Sequence, residues 1–425
     1  MQRYIILLFL LLSTPIAVLA QEQAADTTSQ EGESRGVISE LKYIKQPGFA
    51  NASSKIFSAD ERYSISGFGE INYINYSQRV PNKESKEIEQ YYSNLYRLGT
   101  YFGYKLSNKI IFMSEVQLEY MHDGFREGHF ESNIEASFDF LLSPYFNVRV
   151  GNYPLVLGWV NVNEEPIAFY TVNRPEVERI IVPTQWLEQG VNVYGNIVEN
   201  LEYHFGVTKG LDATGFTSGT WIRNGRYTSW TSMPKSFALN GKLQYGHEDN
   251  MLFAVAGYHG DASAGHRLQT GDRLRSNLSI MTALGTYNFG NLSLFGLYSR
   301  GWVTGTDQIY SINNEIVGAE TEGYYLEARY NVLPLLQPTS PWKLPLFVRY
   351  ERLDTHRSIE ENLTDVIGSA NAIADLKDLE IISVGMNVRP KKSITLKADY
   401  QFRQNKREGA LDEPNQMELG IGFIF

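Results

Sequence analysis

From Tyr63 to the C-terminus the chain alternates apolar and polar residues with a period of two, in one segment after another. The clearest segment has apolar or small residues on one face and polar residues on the other: Phe130, Ser132, Ile134, Ala136, Phe138 and Phe140 against Glu131, Asn133, Glu135, Ser137 and Asp139. Similar alternation recurs at 112–120, 324–331 and 394–403. A period of two with one apolar and one charged face is typical of a β-strand between two different environments. The pattern therefore predicts an all-β chain.

The connections between these segments alternate between short and long. Short links occur at 107–109, 143–144, 199–200, 247–250, 289–291, 333–343 and 390–392. Long loops separate the same segments on the other side, at 77–92, 122–129, 151–190, 210–235, 260–276, 303–322, 354–377 and 405–414. Counting between them gives about sixteen strands of about 10–13 residues, with the short turns and long outer loops of antiparallel membrane barrels. We therefore predict a transmembrane β-barrel over residues 63–425.

A soluble β-sandwich or propeller is the alternative, with the apolar faces turned inward against one another. Two features favour the membrane barrel. The strands are longer than the usual length of about 5–6 residues, and their second face is densely charged. Tyrosines also stand near strand ends, as an interfacial aromatic girdle requires; they are Tyr73, Tyr76, Tyr101, Tyr104, Tyr120, Tyr258 and Tyr400. We therefore expect the apolar face to meet lipid.

The first twenty residues have the features of a secretory signal peptide. Arg3 provides the positive end, residues 5–12 the apolar stretch, and Val18-Leu19-Ala20 a cleavage site with a small residue. Residues 21–62 are polar, and we expect them to stay on the periplasmic side and to play no part in conduction. This follows from an even strand count, which puts both ends of the barrel on the side of the short turns.

Composition excludes several classes of protein and site. The chain has no cysteine, so disulfides and thiolate metal sites are absent from it. Its formal net charge is −10, and loss of Arg3 with the signal peptide leaves 37 basic against 48 acidic residues, or −11. Such a charge argues against nucleic acid as a partner. No residue pattern indicates a cofactor or a metal, and we expect neither.

The C-terminal segment is a strand that ends on an aromatic residue. Met417, Leu419, Ile421, Phe423 and Phe425 are all apolar and occupy alternate positions. We expect this strand to close the barrel against the first one. A terminal phenylalanine on such a strand resembles the signal that bacterial outer-membrane proteins present to the barrel assembly machinery. The expected location is thus the outer membrane of a Gram-negative bacterium.

One long loop differs from the others in carrying much apolar material. The stretch Gly151–Gly190 contains four prolines, which exclude a central strand or an unbroken helix. Its apolar residues include Trp159, Phe169 and Trp186. A connection longer than about 12–15 residues without regular structure is usually functional or disordered. The aromatic content predicts packing, and the loop follows the fifth strand, so it is the third on the long-loop side.

At this loop the chain resembles the phosphate- and polyphosphate-selective porin (porin O/P) family. The resemblance rests on Gly151-Asn152-Tyr153-Pro154-Leu155, Leu157-Gly158, Asn173-Arg174-Pro175-Glu176, Ile180-Ile181-Val182-Pro183-Thr184, and Trp186 with Glu188 and Gly190. It implies a sixteen-stranded trimeric barrel whose third loop folds inward and narrows the pore. It also implies passive diffusion of small hydrophilic solutes or ions, among them anions such as phosphate. We carry only the loop's role over, to Tyr153–Gln189.

Two sets of charged residues are candidates for the lining of the pore. Charged residues of the third loop are expected to face water at the constriction: Glu164, Glu165, Arg174, Glu176, Glu178 and Arg179. Basic residues at inward strand positions are expected to line the pore: Arg97, Arg149, Lys242, Arg329, Arg349, Lys397 and Arg403. Inward acidic residues are at least as numerous, and the third loop holds more glutamates than arginines. The residues themselves therefore leave the choice between anions and cations open.

Two other functions remain open beside a channel. A barrel hydrolase needs a serine or acidic residue paired with histidine. His204 lies next to Glu202 and Thr208 on an inward face, but no serine accompanies it on its strand. We therefore expect no enzyme. A barrel that binds surfaces through its long loops is the stronger alternative, and closed loops without channel current would favour it.

Overall fold

The computed structural model describes residues 45–81, 89–122, 128–226, 235–364 and 373–425, and in them sixteen antiparallel strands form one closed barrel. Each strand pairs with its neighbours in sequence, and β1 pairs with β16. The strands are β1 (Tyr63–Pro81), β2 (Glu89–Ser107), β3 (Ile110–His122), β4 (Gly128–Ser143), β5 (Phe146–Pro154), β6 (Leu187–Val198), β7 (Leu201–Lys209), β8 (Phe237–His247), β9 (Met251–Asp261), β10 (Asn277–Phe289), β11 (Leu292–Val303), β12 (Glu320–Asn331), β13 (Pro345–Ser358), β14 (Asp378–Lys391), β15 (Ile394–Asn405) and β16 (Gln416–Ile424). The predicted fold class and strand number are confirmed.

Short helices occur before the barrel and in its connections. They are α1 (Lys55–Ser58), α2 (Glu176–Ile180), α3 (Thr306–Asn313) and α4 (Leu333–Leu336), with single 3-10 turns at Ala213–Gly215, Arg223–Gly225 and Glu361–Leu363. Among the helices of the described residues, none has the length and apolar character needed to cross a membrane.

The outer wall is apolar, as the two-residue alternation predicts. On β4, Phe130, Ile134 and Phe138 are exposed on the outside, whereas Asn133 and Asp139 are buried on the inside. The last strand follows the same rule: Met417, Ile421, Phe423 and Phe425 are all exposed. Its end closes the barrel, because the Phe425 amide donates to the Gly67 carbonyl at 2.9 Å and the Gly67 amide donates to the Phe425 carbonyl oxygen at 3.0 Å. The expectation that the C-terminal strand closes the barrel against the first strand is confirmed.

The strands and the aromatic girdle differ from expectation in detail. Strand lengths range from 9 to 19 residues, since the hairpin β1–β2 continues well past the predicted loop start at Ser77. Four of the seven girdle tyrosines are on outward positions, but Tyr76, Tyr101 and Tyr258 face inward. The prediction used only the position of these tyrosines near a strand end. Whether a side chain points to the outside or to the lumen is decided by its place in the alternation along the strand.

The interior contains a hydrophobic core, which the sequence pattern did not predict. Inward residues of β9–β11 are mostly apolar, as are the outward residues of the same strands. These inward residues include Leu252, Ala254, Tyr258, Leu278, Ile280, Leu284, Phe295 and Leu297. Two loops cover them: L3, residues 155–186 between β5 and β6, and L4, residues 210–236 between β7 and β8. One side of the barrel is therefore packed with protein, and the polar inner wall lies opposite.

Candidate functional site

L3 crosses the lumen and is attached to the far wall by its main chain. The Val172 amide donates to the Asp399 carboxylate at 2.6 Å, and the Val177 amide donates to Glu351 at 2.7 Å. On another side, Arg97 donates to the Glu164 carbonyl at 2.6 Å. These bonds reach β15, β13 and β2, so L3 spans the barrel, as predicted for an inward-folded third loop.

The apolar side of L3 packs against the apolar inner wall. Leu155, Leu157, Ile180, Ile181 and Trp186 have no exposed surface. The Trp186 ring lies 4.9 Å from the ring of Tyr258, and Trp159 lies 5.6 Å from Phe295, measured between centroids. Burial of each such side chain contributes about 1.5–3 kcal/mol. This side of L3 behaves as the core of a soluble domain and holds the loop firmly.

Three of the six charged L3 residues, Glu164, Glu165 and Glu178, are buried, contrary to the expectation that they face water. Glu178 is fully buried, and its carboxylate accepts from the Trp159 amide at 2.6 Å, the Val160 amide at 2.7 Å and the Tyr325 hydroxyl at 2.5 Å. Burial raises the pKa of Glu178 and outweighs these bonds, which lower it. Glu165 is also fully buried, and it accepts from the Ala52 amide at 2.6 Å. Main-chain amides in turns need acceptors when they are buried, and the carboxylates of Glu165 and Glu178 provide them.

Glu164 and the three remaining charged L3 residues pair with the polar wall or with each other. Glu164 lies 3.6 Å from Arg97. Glu176 forms ion pairs with Arg403 at 3.0 Å and with Arg179 at 2.6 Å. Burial alone would raise the pKa of Glu176, but Arg179 and Arg403 hold it well below its ordinary range. Arg174 donates to the Thr184 hydroxyl at 3.3 Å, and its second terminal nitrogen is buried without a partner.

Of the seven inward cations predicted to line the pore, three donate to main-chain carbonyls: Arg97, Arg149 and Lys397. Lys397 donates to the Thr171 carbonyl at 3.0 Å and Arg349 to the Thr171 hydroxyl at 2.8 Å. Arg97 and Arg403 contact L3 as described. Arg149 pairs with Asp139 at 3.0 Å and donates to Gly48 at 3.1 Å.

The other two inward cations are placed differently. Arg329 pairs with Glu327 at 2.5 Å and lies over the Tyr170 ring at 4.1 Å. Lys242 lines a cavity of about 110 Å³ on the short-turn side.

A second cavity, larger than the one beside Lys242, lies between L3 and the polar wall. This cavity has a volume of about 400 Å³ and is bounded by β1, β2, β3, β13, β15, β16, L3 and L4. Five arginines line it: Arg174, Arg179, Arg223, Arg349 and Arg403. Five glutamates line it as well: Glu70, Glu119, Glu176, Glu413 and Glu418. The predicted residues Arg174, Glu176, Arg179, Arg349 and Arg403 thus meet here, whereas Glu164, Glu165 and Glu178 do not line it.

L4 supplies two arginines that the sequence analysis missed. Arg223 donates to the Arg179 carbonyl at 2.9 Å, and Arg226 donates to the Thr184 carbonyl. Burial, together with the nearby arginines, lowers the pKa of Arg223. L4 is anchored by Trp221, which is fully buried and donates to the Gly318 carbonyl at 3.0 Å. The signal was a set of apolar residues, Leu211, Phe216, Trp221 and Ile222, within a long loop that is mostly polar.

An acidic cluster lies on the polar side of the lumen. Carboxylate oxygens of Glu115, Glu135 and Glu164 come within 4.8 Å of one another. Close carboxylates are common in water-filled spaces, and spacing alone does not define a metal site.

His204 pairs with an acidic residue, but the bonds that the structure describes for its ring include no hydroxyl group. Its ring nitrogens contact Glu202 at 2.8 Å and the Asn192 amide at 3.1 Å. Neither ring nitrogen contacts a hydroxyl group in these bonds, so His204 does not form the pair that activates a serine.

Comparison with known proteins identifies the fold. No protein-family model matches the chain. An uncharacterized protein of Aquifex aeolicus (strain VF5) is 26% identical over 373 residues, which are 84% of this chain and 79% of that protein.

Three solved structures share the architecture. OprB of Pseudomonas putida aligns with a TM-score of 0.56 at 11% identity, over 86% of this chain and 95% of its own. The outer membrane channel DcaP of Acinetobacter baumannii aligns with a TM-score of 0.55 at 13% identity, over 85% of this chain and 97% of its own. OmpF of Salmonella typhi, solved in complex with daunomycin, aligns with a TM-score of 0.53 at 10% identity, over 85% of this chain and 97% of its own. Together with the apolar outer wall, this likeness assigns the chain a porin-like, sixteen-stranded barrel fold in the outer membrane of a Gram-negative bacterium.

Proposed function

We propose that the protein is a channel for passive diffusion of small hydrophilic solutes or ions, with its constriction between L3 and the polar wall. The observation that carries the proposal is the cavity of about 400 Å³ beside L3, which is lined by charged side chains. A barrel of about sixteen strands leaves an aqueous channel unless loops narrow it. L3 and L4 narrow this barrel from one side and leave water-accessible charge on the other.

We further propose a preference for anions, which supports the narrower resemblance to phosphate-selective porins. Arg174, Arg223 and Arg226 converge on Thr184. Arg174 and Arg223 bond there to hydroxyl and carbonyl oxygens rather than to a carboxylate. By contrast, three of the five cavity glutamates, Glu70, Glu176 and Glu413, are in ion pairs, while Glu119 and Glu418 accept from side-chain amides. Guanidinium groups bind phosphate and carboxylate oxygens in a bidentate manner, so the uncommitted positive charge favours anionic solutes.

Assembly belongs to the same proposal. The resembled family implies a homotrimer, and the exposed C-terminal Phe425 fits recognition by the barrel assembly machinery. The outer wall would then meet lipid and neighbouring subunits.

A surface-binding barrel is the second candidate, and the packed interior favours it. L3 and L4 form one hydrophobic cluster with the inner wall. They therefore fill more of the lumen than is expected for a wide pore. Such a barrel would act through its outer loops and would carry no current.

Single-channel recording of the refolded protein in a planar bilayer separates the two candidates. We expect discrete conductance steps and, in a salt gradient, a reversal potential of the sign given by anion flow. Arg174→Glu and Arg223→Glu should each lower the anion preference, roughly severalfold, because charged rings at a constriction act as the filter. Arg267→Glu, in an exposed part of another loop, is the matched control and should change nothing. Absence of current would overturn the proposal of a channel. Equal shifts of the reversal potential in all three variants would show that Arg174 and Arg223 are not the filter.

A further inference from the structure

Residues 45–58, called the strap below, lie inside the barrel rather than outside it. We propose that the strap is the periplasmic wall of the constriction: it holds L3 from below and narrows the exit of the lumen. The inference rests on the proposed channel function, and it replaces, for these residues, the expectation that 21–62 take no part in conduction. Residues 21–44 lie outside the described residues.

The strap begins at the turn between β8 and β9. The Lys45 ammonium lies 3.2 Å from the Glu248 carboxylate and 5.1 Å from the centroid of the Trp159 ring. It also donates to the side chain of Asn163. Glu248 belongs to a short turn and both other partners belong to L3, so the first strap residue already joins the periplasmic rim to L3.

The middle of the strap passes beneath β5 and β7. The Gly48 carbonyl accepts from Arg149 at 3.1 Å, and the Arg149 guanidinium lies 3.8 Å from the centroid of the Phe49 ring. Arg149 is almost fully buried by these contacts and by Asp139. A buried cation is stable only with such partners, so the strap completes the site of an inward arginine.

The strap is then bonded both to L3 and to the barrel wall. The amides of Asn51 and Ala52 donate to the Glu165 carboxylate at 3.2 Å and 2.6 Å. The Ala52 carbonyl accepts from the Ser66 hydroxyl of β1 at 2.6 Å. Ala52 has no exposed surface. A single turn of the strap thus connects L3 to β1, and Glu165 satisfies amides that would otherwise be buried without acceptors.

The inner wall is shaped to receive the end of the strap. Ile56 is fully buried beside Ile111 and Met113. It fits because the inward residue opposite is Gly103, where an added Cβ would lie 2.6 Å from the Ile56 Cβ. The groove for Ile56 therefore depends on glycine at this position. An unattached linker would need neither the glycine nor the buried contacts.

The contacts of the strap extend from the β8–β9 turn past β7 and β5 to β1 and β2, and they reach L3 at Lys45, Asn51 and Ala52. The cavity beside it on this side is small, about 110 Å³, and Lys45, Glu202, Lys242 and Glu248 line it. A solute that passes L3 on this side leaves the lumen along the strap. Release of the strap should therefore widen the path and also loosen L3.

The test uses the full chain and a variant in which the strap is released, Phe49→Ala with Ile56→Ala. Ser58→Ala is the matched control, because Ser58 is exposed on the same segment. The natural chain has no cysteine, so Ser53→Cys places a single thiol on the strap in each background. The measured quantities are the labelling rate of this thiol by a charged, membrane-impermeant maleimide and the single-channel conductance.

We expect labelling of the released variant to be faster by at least about tenfold, since large-to-small changes in a core weaken its packing strongly. Its conductance should rise about twofold, because an unfilled barrel of this size leaves a wide channel. The control should match the natural strap in both measurements.

The outcomes separate the inference from the channel proposal. Faster labelling without a change in conductance overturns the inference and leaves the channel in place. Labelling of the natural strap as fast as in the unfolded chain also overturns it. If only the released variant carries current, the result supports a strap that closes the lumen, and it overturns the proposal that the natural channel is permanently open. Current in no protein overturns both proposals.

Discussion

At the scale of single residues, buried carboxylates organise the lumen by accepting from main-chain amides. Glu178 does this within L3, and Glu165 does it between L3 and the strap. A carboxylate that is lost from such a position leaves buried donors without partners, at a cost of about 1–3 kcal/mol for each. If the protein conducts as proposed, these residues set the shape of the path without lining the cavity.

The position of Glu165 predicts a dependence of conductance on pH. Burial raises the pKa of Glu165 to about 7, against the lowering effect of the Ala52 amide and of Lys45. Tyr101 of β2 is another ionisable group close enough to interact with it. Below pH 4.5 the carboxyl is protonated whether the strap is bound or free, so binding is strongest there. Between pH 4.5 and about 7 the free form ionises first, and binding weakens as the pH rises.

Conductance should therefore increase from acidic to neutral pH and level off above about 7. Recording from roughly pH 4 to 8 covers this range, and Glu165→Gln is the comparison because it removes the titrating group. A variant that keeps the full pH response would assign the response to other carboxylates.

The sequence predicted that L3 carries charge, but not which charges face water. Burial of Glu178 depends on Tyr325, and burial of Glu165 depends on Ala52, and both partners are far away in the sequence. Such contacts have no local pattern. Three other charged residues of L3 border the cavity, namely Arg174, Glu176 and Arg179. Only their tertiary contacts distinguish them from the buried Glu165 and Glu178.

At the scale of elements, L3 and L4 act as one unit. They share the hydrophobic cluster on the inner wall, and arginines of both converge on Thr184. L4 is held by Trp221, which packs directly on Gly301 of β11; a Cβ at Gly301 would overlap the indole ring. The position of the arginines in the cavity therefore depends on a glycine in the wall.

Gly301→Ala should displace L4 and weaken the anion preference. Overpacking of this kind costs about 1–3 kcal/mol, and the displaced L4 would carry Arg223 and Arg226 away from Thr184. The reversal potential in a salt gradient measures the change. Gly257→Ala is the control, because a Cβ there meets its nearest atom, the Ile280 carbonyl oxygen, at 3.7 Å. Equal reversal potentials in both variants would show that L4 does not contribute to selectivity.

The elements themselves differed in how far the sequence predicted them. Strands were predicted well, since their signal is a local alternation that lipid on one side and water on the other impose. L3 was predicted because prolines and aromatics occur together in it. L4 was not, because its apolar anchor is only Trp221-Ile222 with a few neighbours in a long polar stretch.

At the scale of the whole molecule, closure of β1 on β16 removes the last free strand edges. The C-terminal residue takes part directly, with two bonds between Phe425 and Gly67. Its ring lies on the outer wall, 6.3 Å from that of Phe423.

Deletion of Phe425 should slow assembly of the barrel. The change removes both closing bonds and the exposed terminal ring. The fraction of heat-modifiable, folded protein in the outer membrane measures the effect. Phe289→Ala, an exposed aromatic at the end of β10, controls for the loss of any aromatic on the outer wall. Normal yields from the truncated chain would contradict the prediction.

Apolar residues on both faces of β9 have a consequence for strand register. A slip by one residue would exchange the inward Leu252, Ala254 and Tyr258 with outward neighbours that are mostly apolar as well. Polarity therefore does not fix the alignment of β9, and its pairing with β8 and β10 has to do so. On β3 the same slip would move Glu115 and Glu119 into lipid, which charged groups strongly resist. Strands such as β3 can align by themselves, whereas the strands over the inner core acquire their alignment from their neighbours.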